Sequence, residues 1–411
     1  MTSKKSFIKD RVFLIPDADE IKSGQTTDFY FVNVEKILDG EGKNPRVAME
    51  VYTRYLPYPD NWGIVSGIYE SLNLLEGLPV DVWAMEEGEL FLTSKTDISY
   101  EPVMRIEGRY RDFARYETAL LGFLCSFSGV STKAARMRLL AGPEKILLSF
   151  GTRRAHPALA PMIERGAYIG GFDGFSNVLG AGLLGKHGSG TMPHSFILLY
   201  NDPREAWVAF DRYVDQEIPR IALVDTYYDE KMESIMALNA LGKRLSGIRL
   251  DTPGSRRGDW RKIAEEVRWE LDQRDGRDVK IIISGGVDEG DITTMNDVVD
   301  GYGIGTSVAD APTIDFNLKV VEVEVDGKMV KRSKRGDISG KKDAYRNFSN
   351  GSDIILPEGR EPPEGYEPLM KKWLEGGKIV RKMETVEEVR ERAMNRIGWV
   401  KYKHPSVKLI S

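Results

Sequence analysis

The amino-acid sequence predicts an α/β protein built around an irregular (β/α) barrel of about seven strands. Short apolar runs alternate with helical stretches from about residue 145 onward, and most of these runs end in Gly-rich or polar turns. The segments on either side are mixed and lack this alternation. Strands that alternate with helices imply a parallel sheet, and this many units favours a closed or nearly closed barrel. An open, doubly wound sheet is the alternative architecture.

The expected barrel strands are short apolar runs. They cover residues 145–150, 167–170, 195–200, 220–224, 247–250, 279–283 and 302–304. Most of the stretches between them read as amphipathic helices. Residues 230–245 are apolar at near-helical spacing, and Asp259 can cap a helix over residues 261–273.

A chain of 411 residues is longer than one typical hydrophobic core requires, so we expect two domains. The barrel takes residues 131–317. Residues 1–130 and 318–411 are expected to form one discontinuous α/β sandwich domain beside it. Alternating apolar residues at 46–52 and 318–324 predict strands in both flanks.

The amino-acid composition limits the kinds of partner that the protein is expected to bind. The net charge is −5, and 58 basic and 63 acidic residues are dispersed along the chain, which argues against a nucleic-acid or membrane-surface protein. Cys125 is the single cysteine, so the chain can form neither an internal disulfide nor a thiolate zinc site. The first residues carry no apolar targeting segment, and we expect a soluble cytoplasmic protein.

Two Gly-rich turns follow predicted strands near the end of the barrel. The first contains Gly285 and Gly286, and the second contains Gly303, Gly305 and Thr306. Glycine lets the backbone approach an anion closely, and the start of a following helix adds partial positive charge. We interpret both turns as phosphate-binding loops, with ordinary strand-to-helix turns as the alternative.

His194 is one of only four histidines and stands just ahead of an apolar run. An imidazole at this place can act as acid, base, metal ligand or phosphoryl acceptor, although a structural role is common at a strand boundary. The turn-rich approach at residues 185–190 reads as a mobile loop. No second His or Cys stands at ligand spacing, so a catalytic zinc is not expected.

Other strand ends carry polar or aromatic side chains. For each of them both a functional and a structural role are open. Phe150 beside Arg153 and Arg154 suits an aromatic carboxylate or a sugar phosphate, with surface pairing as the alternative. Arg249 and Asp251 could hold phosphate and either ribose hydroxyls or a hydrated magnesium ion. Arg256 and Arg257 could also hold phosphate. Ser176 belongs to a segment of small and hydrogen-bonding residues that an Asx turn explains equally well. Asp225 and Thr226 offer a carboxylate and a hydroxyl, with a structural role favoured, and the favoured role of Thr27 or Asp28 is to cap a helix.

Side chains that follow several strands meet at one end of a barrel. The glycine turns, arginines, carboxylates, aromatic ring and histidine described above therefore favour a binding site for a sugar-phosphate substrate. In combination they resemble the nicotinate phosphoribosyltransferases of the type II phosphoribosyltransferase family, in the form common in archaea and some bacteria. The matching segments are GQTTDFY at 24–30, YET at 116–118, FGTRR at 150–154, GGFDGFSNV at 170–178, GTMPHS at 190–195, RLDTPGSRRGD at 249–259, SGGVDEGDI at 284–292 and GIGTS at 303–307.

The resemblance implies an irregular α/β barrel beside a sandwich domain and a homodimer with active sites at the subunit boundary. It also implies the transfer of phosphoribosyl from phosphoribosyl pyrophosphate to nicotinate, coupled to ATP hydrolysis with Mg²⁺ present. His194 would be phosphorylated transiently by ATP.

The resemblance assigns further roles by matching position. Phe150 and Tyr30 would sandwich the pyridine, with Tyr30 contributed by the adjacent subunit. Asp28 would also take part in substrate binding. Arg153 and Ser176 would face the ring and its carboxylate. Arg249 and Asp251 would contact the ribosyl substrate and its magnesium. The residues that would hold its 5-phosphate are Gly285, Gly286, Gly303, Gly305 and Thr306.

Ser176 bears on specificity, because nicotinamide-using relatives carry an aspartate there that would repel a carboxylate. Some archaeal relatives carry a cysteine-rich zinc module, which this chain lacks, so we expect no structural zinc. Two other functions stay open. Quinolinate phosphoribosyltransferase would decarboxylate a dicarboxylic pyridine, and a non-catalytic protein could keep the phosphoribosyl pocket as a sensor.

Overall fold

The computed structural model describes residues 11–94, 99–256 and 258–410. This part of the chain divides into two compact units. Unit 1 contains the described residues up to Ser128, Thr313–Glu384 and those from Lys403 onward, and unit 2 contains Gly129–Pro312 and Thr385–Tyr402. The expectation about a targeting segment falls partly on residues 1–10, which lie outside the described residues. No helix in the described ranges has the length and apolarity needed to cross a membrane.

Unit 2 is built on a curled sheet of six parallel strands. In spatial order these strands are Gly174–Phe175, Ile146–Ser149, Gly301–Ile304, Lys280–Ser284, Gly247–Leu250 and Ile221–Leu223. Central strands of such a sheet are buried on both faces, which is why they appear in the sequence as continuous apolar runs. Among the described residues the two outer strands do not pair with each other, so the sheet is a half-barrel.

Two of the predicted strands are wrong. Residues 167–170 belong to the last turn of the helix Ala160–Ile169 and the residue after it, and the strand follows later at Gly174–Phe175. Residues 195–200 contain the helix His194–Ile197. In both places the apolar residues serve a buried helix face, since Ala167, Ile169 and Ile197 are all fully buried. Periodicity cannot separate a helix from a strand in runs this short.

Helices connect and flank the strands of unit 2. They are Ala160–Ile169, Val178–Leu183, His194–Ile197, Pro203–Tyr213, Glu230–Leu241, Trp260–Asp272, Glu289–Met295, Thr306–Ala309 and the larger parts of Glu117–Ala141 and Val386–Lys403. The predicted cap at Asp259 is confirmed, since its carboxylate accepts the Lys262 N–H at 3.2 Å. Such a cap contributes about 1 kcal/mol to helix stability.

The helix Val386–Lys403 lies in the C-terminal flank, yet residues 385–402 pack within unit 2. The Arg390 guanidinium donates to the carbonyls of Tyr168 and Phe172 and lies 4.5 Å from the centroid of the Tyr168 ring. These contacts join the C-terminal helix to the end of the helix Ala160–Ile169 and the turn that follows it.

Unit 1 contains three sheets. A seven-stranded antiparallel sheet consists, in spatial order, of Lys328–Lys331, Asn317–Val325, Arg46–Tyr52, Met104–Arg109, Val80–Met85, Met370–Glu375 and Lys378–Ile379. The smaller sheets consist of Glu367–Pro368, Lys342–Asn347, Ser352–Pro357 and Ser406–Leu409, and of Trp62–Ile64 with Leu90–Leu92. Helices at Ala18–Lys22, Phe29–Gly40, Ile68–Leu75 and Tyr110–Phe113 complete the unit. Strands from both flanks pair directly, because Val47 lies opposite Val323.

Candidate active site

The carboxyl ends of the parallel strands in unit 2 lie at one edge of the sheet, and most of the predicted site residues follow these ends. Phe150, Ser176, Asp225, Asp251 and Gly285 each come directly or one residue after a strand. Parallel strands deliver their following loops to the same edge, so residues that are far apart in sequence meet there.

His194 lies at the start of the helix His194–Ile197, directly after Pro193. Its Nε2 atom is 3.0 Å from Oδ1 of Asp225, and its Nδ1 atom is 3.9 Å from Oδ2 of Asp251. The hydrogen bond to Asp225 raises the pKa of His194, while partial burial and the Arg249 charge act in the opposite direction. The imidazole is therefore held by one carboxylate and faces a second.

Asp225 orients this histidine and is itself held firmly. Its side chain is 4% exposed, and its Oδ2 atom accepts hydrogen bonds from the Asp251 N–H at 2.8 Å and the Thr252 hydroxyl at 3.1 Å. A carboxylate with fixed partners fixes the imidazole it contacts in turn. From sequence alone a structural role is favoured for Asp225, although it follows a strand just as Asp251 does.

Arg249 lies across the face of Phe150, with its Cζ atom 5.7 Å from the ring centroid. One of its nitrogens donates to the Met192 carbonyl at 3.1 Å, whereas its buried Nε has no hydrogen-bond partner among the described residues. Burial lowers the pKa of Arg249, and the positive charge of Arg153 lowers it further. An anion bound at this place would satisfy the unused donor.

Of the two adjacent arginines, Arg153 is the one whose charge acts on Arg249. Both Arg153 and Arg154 are exposed in the short 3₁₀ helix Thr152–Arg154. Arg256 is also exposed, and Arg257, the other arginine predicted to bind phosphate, lies outside the described residues.

Asp251 and the first Gly-rich turn are in direct contact. Asp251 Oδ1 accepts a hydrogen bond from the Ser284 hydroxyl at 2.7 Å. Gly285 and Gly286 have φ values of 94° and 95°, which side chains rarely adopt. A Cβ atom on Gly285 would lie 3.1 Å from both the carbonyl and a carboxylate oxygen of Asp251, whereas one on Gly286 would meet nothing within 4 Å. The turn thus presents open backbone beside a carboxylate.

The second Gly-rich turn has two different parts. Gly303 lies within the strand Gly301–Ile304, and a Cβ atom there would lie 2.4 Å from the Phe150 ring. Its contacts show that it makes room for that ring, and its predicted part in phosphate binding stays a prediction. Gly305 follows the strand and precedes the helix Thr306–Ala309, so it lies at a strand end like Gly285.

Ser176 is exposed directly after the strand Gly174–Phe175. Its backbone N–H donates to the Ser149 carbonyl at 3.1 Å. A small uncharged side chain therefore stands at this strand end.

Tyr30 and Asp28 belong to unit 1, whereas the other predicted site residues belong to unit 2. Asp28 occupies the predicted cap position of the helix Phe29–Gly40, although its carboxylate makes no capping hydrogen bond. The carboxylate accepts instead from the Thr118 hydroxyl at 3.0 Å and from the Tyr30 hydroxyl at 3.3 Å. The Tyr30 side chain is 56% exposed.

The residues present can be compared with the needs of Mg²⁺. The Asp251 side chain is 28% exposed and offers one carboxylate at the strand ends. Within residues 11–94, 99–256 and 258–410, no group of three or more His, Cys, Asp or Glu side chains is arranged to hold a metal ion. Mg²⁺ keeps several waters and commonly takes one or two carboxylates plus substrate phosphates. The site fits an ion that arrives with a phosphate substrate.

Comparison with known proteins adds independent findings. Residues 28–128 match the family model described as Quinolinate phosphoribosyl transferase, N-terminal domain, and residues 130–319 match the model of its C-terminal domain. The chain is similar to the nicotinate phosphoribosyltransferase of Bacillus subtilis (strain 168), with 29% identity over 79% of this chain and 73% of that protein.

The chain is also similar to solved structures. A structure titled nicotinate-nucleotide pyrophosphorylase from Pyrococcus furiosus has a TM-score of 0.90 and 46% identity, and the match covers 95% of this chain and 99% of that chain. The human Nicotinic Acid Phosphoribosyltransferase has a TM-score of 0.75 at 22% identity over 93% of this chain and 97% of that chain, which shows a shared fold.

The half-barrel with its strand-end site, together with these matches, defines an enzyme of the phosphoribosyltransferase class. The chain belongs to the type II phosphoribosyltransferase family. Its predicted resemblance to the nicotinate phosphoribosyltransferases is confirmed by the curated relatives.

Proposed function

We propose that this chain transfers the phosphoribosyl group of phosphoribosyl pyrophosphate to nicotinate, giving nicotinate mononucleotide and pyrophosphate for NAD salvage. The observation that carries the proposal is the pairing of Arg249 with Phe150 beside Asp251 at the strand ends. An aromatic surface, a cation and a carboxylate are the groups that a pyridine ring and a phosphorylated sugar need. Relatives named nicotinate phosphoribosyltransferase in bacteria and humans support it further.

The reaction needs little covalent chemistry from the protein. The pyridine nitrogen forms a bond to the anomeric carbon of the ribose while the bond from that carbon to pyrophosphate breaks. The nitrogen lone pair is free at neutral pH, so no base has to remove a proton. Catalysis then consists of positioning the two substrates and stabilising the charge of the departing pyrophosphate. Arg249, with an unused buried donor, is suited to that task.

Residues at the same edge of the sheet would bind nicotinate. Phe150 offers a ring face for the pyridine, and the exposed guanidinium of Arg153 can pair with the carboxylate. Ser176 offers a hydroxyl where a carboxylate side chain would repel nicotinate. Tyr30 of a neighbouring subunit would cover the other face of the pyridine.

The two Gly turns would hold the 5-phosphate of the ribose. Gly285 and Gly286 are exposed and have positive φ angles, and Gly305 with Thr306 begins a helix at the adjacent strand end. Backbone N–H groups at such places attract anions. Asp251 would hold Mg²⁺ together with the substrate, and the ion would supply charge neutralisation for the pyrophosphate oxygens.

ATP coupling would use His194. If Nε2–H donates to Asp225, the lone pair of Nδ1 is free on the side that faces Asp251. Nδ1 would then form a bond to the γ-phosphorus of ATP while the bond from that phosphorus to the bridging oxygen breaks and ADP leaves. Phosphorylation adds about −1.5 to −2 charge beside the substrate site, and later hydrolysis of the phosphohistidine releases phosphate.

The proposal includes a homodimer whose sites draw on both subunits. Phe29 and Tyr30 in unit 1 are 72% and 56% exposed, and unit 2 exposes Val178, Leu179 and Leu183 on one short helix. Exposed apolar side chains of this density are typical of interfaces. The cytoplasmic location stays a prediction.

One second candidate has specific support, because both matching family models carry the name of quinolinate phosphoribosyl transferase. Quinolinate bears a second carboxylate and loses CO₂ in that reaction. Curated relatives named for nicotinate, and a histidine held by Asp225, favour the first candidate.

The test offers purified protein phosphoribosyl pyrophosphate and Mg²⁺ with nicotinate, nicotinamide or quinolinate in turn, with and without ATP. We expect nicotinate mononucleotide from nicotinate and a higher yield with ATP. CO₂ release from quinolinate as the main reaction would replace the proposal with the second candidate. No transfer to any pyridine would favour a phosphoribosyl-binding sensor.

A further inference from the structure

A cavity of about 560 Å³ in unit 1 contains a carboxyl group that has no assigned role. Glu117 lines this cavity together with Tyr30, Tyr110 and Lys319, and it is the first residue of the helix Glu117–Ala141. Among the described residues, its carboxylate has no hydrogen bond or ion pair. The group is therefore free to respond to its surroundings.

The residue next to Glu117 holds the segment that carries Tyr30. The Thr118 hydroxyl donates to Asp28 Oδ2 at 3.0 Å and accepts the Asp28 backbone N–H at 3.1 Å. The Tyr30 hydroxyl donates to the same Asp28 oxygen at 3.3 Å. The start of the long helix and the start of the helix Phe29–Gly40 are thus joined through Asp28.

Glu117, Asp28 and Tyr30 also interact through their charges. Burial raises the pKa of Glu117 to about 7, the nearby Asp28 charge adds to the rise, and Lys319 opposes it. The Glu117 charge in turn contributes to the raised pKa values of the Tyr30 and Tyr110 phenols. Arg332 and Lys334 also line the cavity. Near neutral pH the cavity therefore changes its charge at one position.

We propose that Glu117 is a positioning residue for Tyr30, and that nicotinate binds more weakly when Glu117 is ionised. This inference rests on the proposed function, because Tyr30 is assigned there to the pyridine. With Glu117 neutral, Asp28 keeps its bonds to Thr118 and Tyr30 beside one uncharged carboxyl group. Ionised Glu117 places a second negative charge beside Asp28, which loosens the Tyr30 segment and repels the nicotinate carboxylate.

The test measures KM for nicotinate and kcat between about pH 6 and 8 on the full chain without ATP, so that titration of His194 in the ATP-coupled step does not enter the profile. In the unmodified protein we expect KM to rise about 3- to 10-fold across this range, the effect of one added charge at a site open to solvent. Glu117→Gln should keep a low KM that no longer depends on pH over this range, and Glu117→Asp should restore the dependence. The change should appear in KM rather than in kcat.

Glu76→Gln is the matched control, because Glu76 is an exposed carboxylate at the end of the helix Ile68–Leu75, outside the cavity. It should keep the original pH profile. A profile for Glu117→Gln that matches the unmodified protein would overturn the proposal.

A second readout does not depend on turnover. The phenol of Tyr30 can be titrated by ultraviolet absorbance, as the difference between chains with and without Tyr30→Phe. Glu117→Gln should lower the pKa of that phenol, and an unchanged phenol titration would count against the proposed positioning. If the protein forms no nicotinate mononucleotide, the proposed function fails, while this titration still decides whether Glu117 acts on Tyr30.

Discussion

His194 and Asp225 are in direct polar contact, with Nε2 of the imidazole 3.0 Å from Oδ1 of the carboxylate. The other oxygen of Asp225 accepts the backbone N–H of Asp251, so one side chain links the histidine to the neighbouring strand end. With Nε2 held by Asp225, the Nδ1 atom is the imidazole nitrogen that faces Asp251.

Asp225→Asn should weaken the ATP-coupled step more than phosphoribosyl transfer itself. An amide keeps a hydrogen-bond acceptor but loses the charge, and hydrogen bonds to charged groups contribute about 1.5 to 3 kcal/mol. Phosphate incorporation into His194 from labelled ATP should fall by about 10-fold or more. Transfer without ATP should change less. His194→Asn serves as the control, because it should abolish incorporation altogether.

The pH profile of histidine phosphorylation follows from the same pair. The hydrogen bond to Asp225 raises the pKa of His194, and only the neutral imidazole has a lone pair to attack phosphorus. The rate should therefore increase as the pH rises through this raised pKa. In Asp225→Asn the midpoint should move to lower pH, which nuclear magnetic resonance of the imidazole can check independently. A midpoint that does not move would contradict the assigned contact.

Ser176→Asp should change the choice of pyridine. A carboxylate at this exposed strand end repels nicotinate and can accept a hydrogen bond from the amide of nicotinamide. We expect kcat/KM for nicotinate to fall by about 10-fold or more, with a relative gain for nicotinamide. Ser176→Ala is the matched control and should reduce kcat/KM for nicotinate much less. Equal losses in both variants would argue for a steric effect.

Gly303→Ala should displace the Phe150 ring. The added Cβ would lie 2.4 Å from a ring carbon, and overpacking of this kind costs about 1 to 3 kcal/mol. The thermal midpoint should fall by roughly 3 to 10 °C, and KM for nicotinate should rise. Gly254→Ala is the control, because its Cβ would meet nothing within 4 Å. Similar losses in the two variants would contradict the role given to Gly303.

Much of the half-barrel could be predicted from the sequence. The runs at 145–150, 220–224, 247–250, 279–283 and 302–304 all contain strands, because buried parallel strands need continuous apolar residues. The two wrong strands have the same cause. Short helices with one deeply buried face, as around Ile197, produce apolar runs that have too few residues to show a period.

Some contacts of the candidate site could likewise be predicted from the sequence, and others could not. Parallel strands place Phe150, Arg249, Asp251 and Gly285 at one edge of the sheet, so their association follows from the topology. The contact between His194 and Asp225 does not follow from it. These residues are 31 positions apart, and their distance depends on the conformations of the segments before the helix His194–Ile197 and after the strand Ile221–Leu223, which local sequence does not determine. Asp28 likewise has a suitable cap position but bonds to Thr118 instead.

The most direct test of the proposed activity is a competition in one vessel. The protein receives phosphoribosyl pyrophosphate, Mg²⁺ and ATP with equal amounts of ring-deuterated nicotinate, unlabelled nicotinamide and unlabelled quinolinate, and mass spectrometry identifies the nucleotides formed. We predict deuterated nicotinate mononucleotide as the main product. Unlabelled nicotinate mononucleotide with CO₂, or nicotinamide mononucleotide, as the main product would contradict the account.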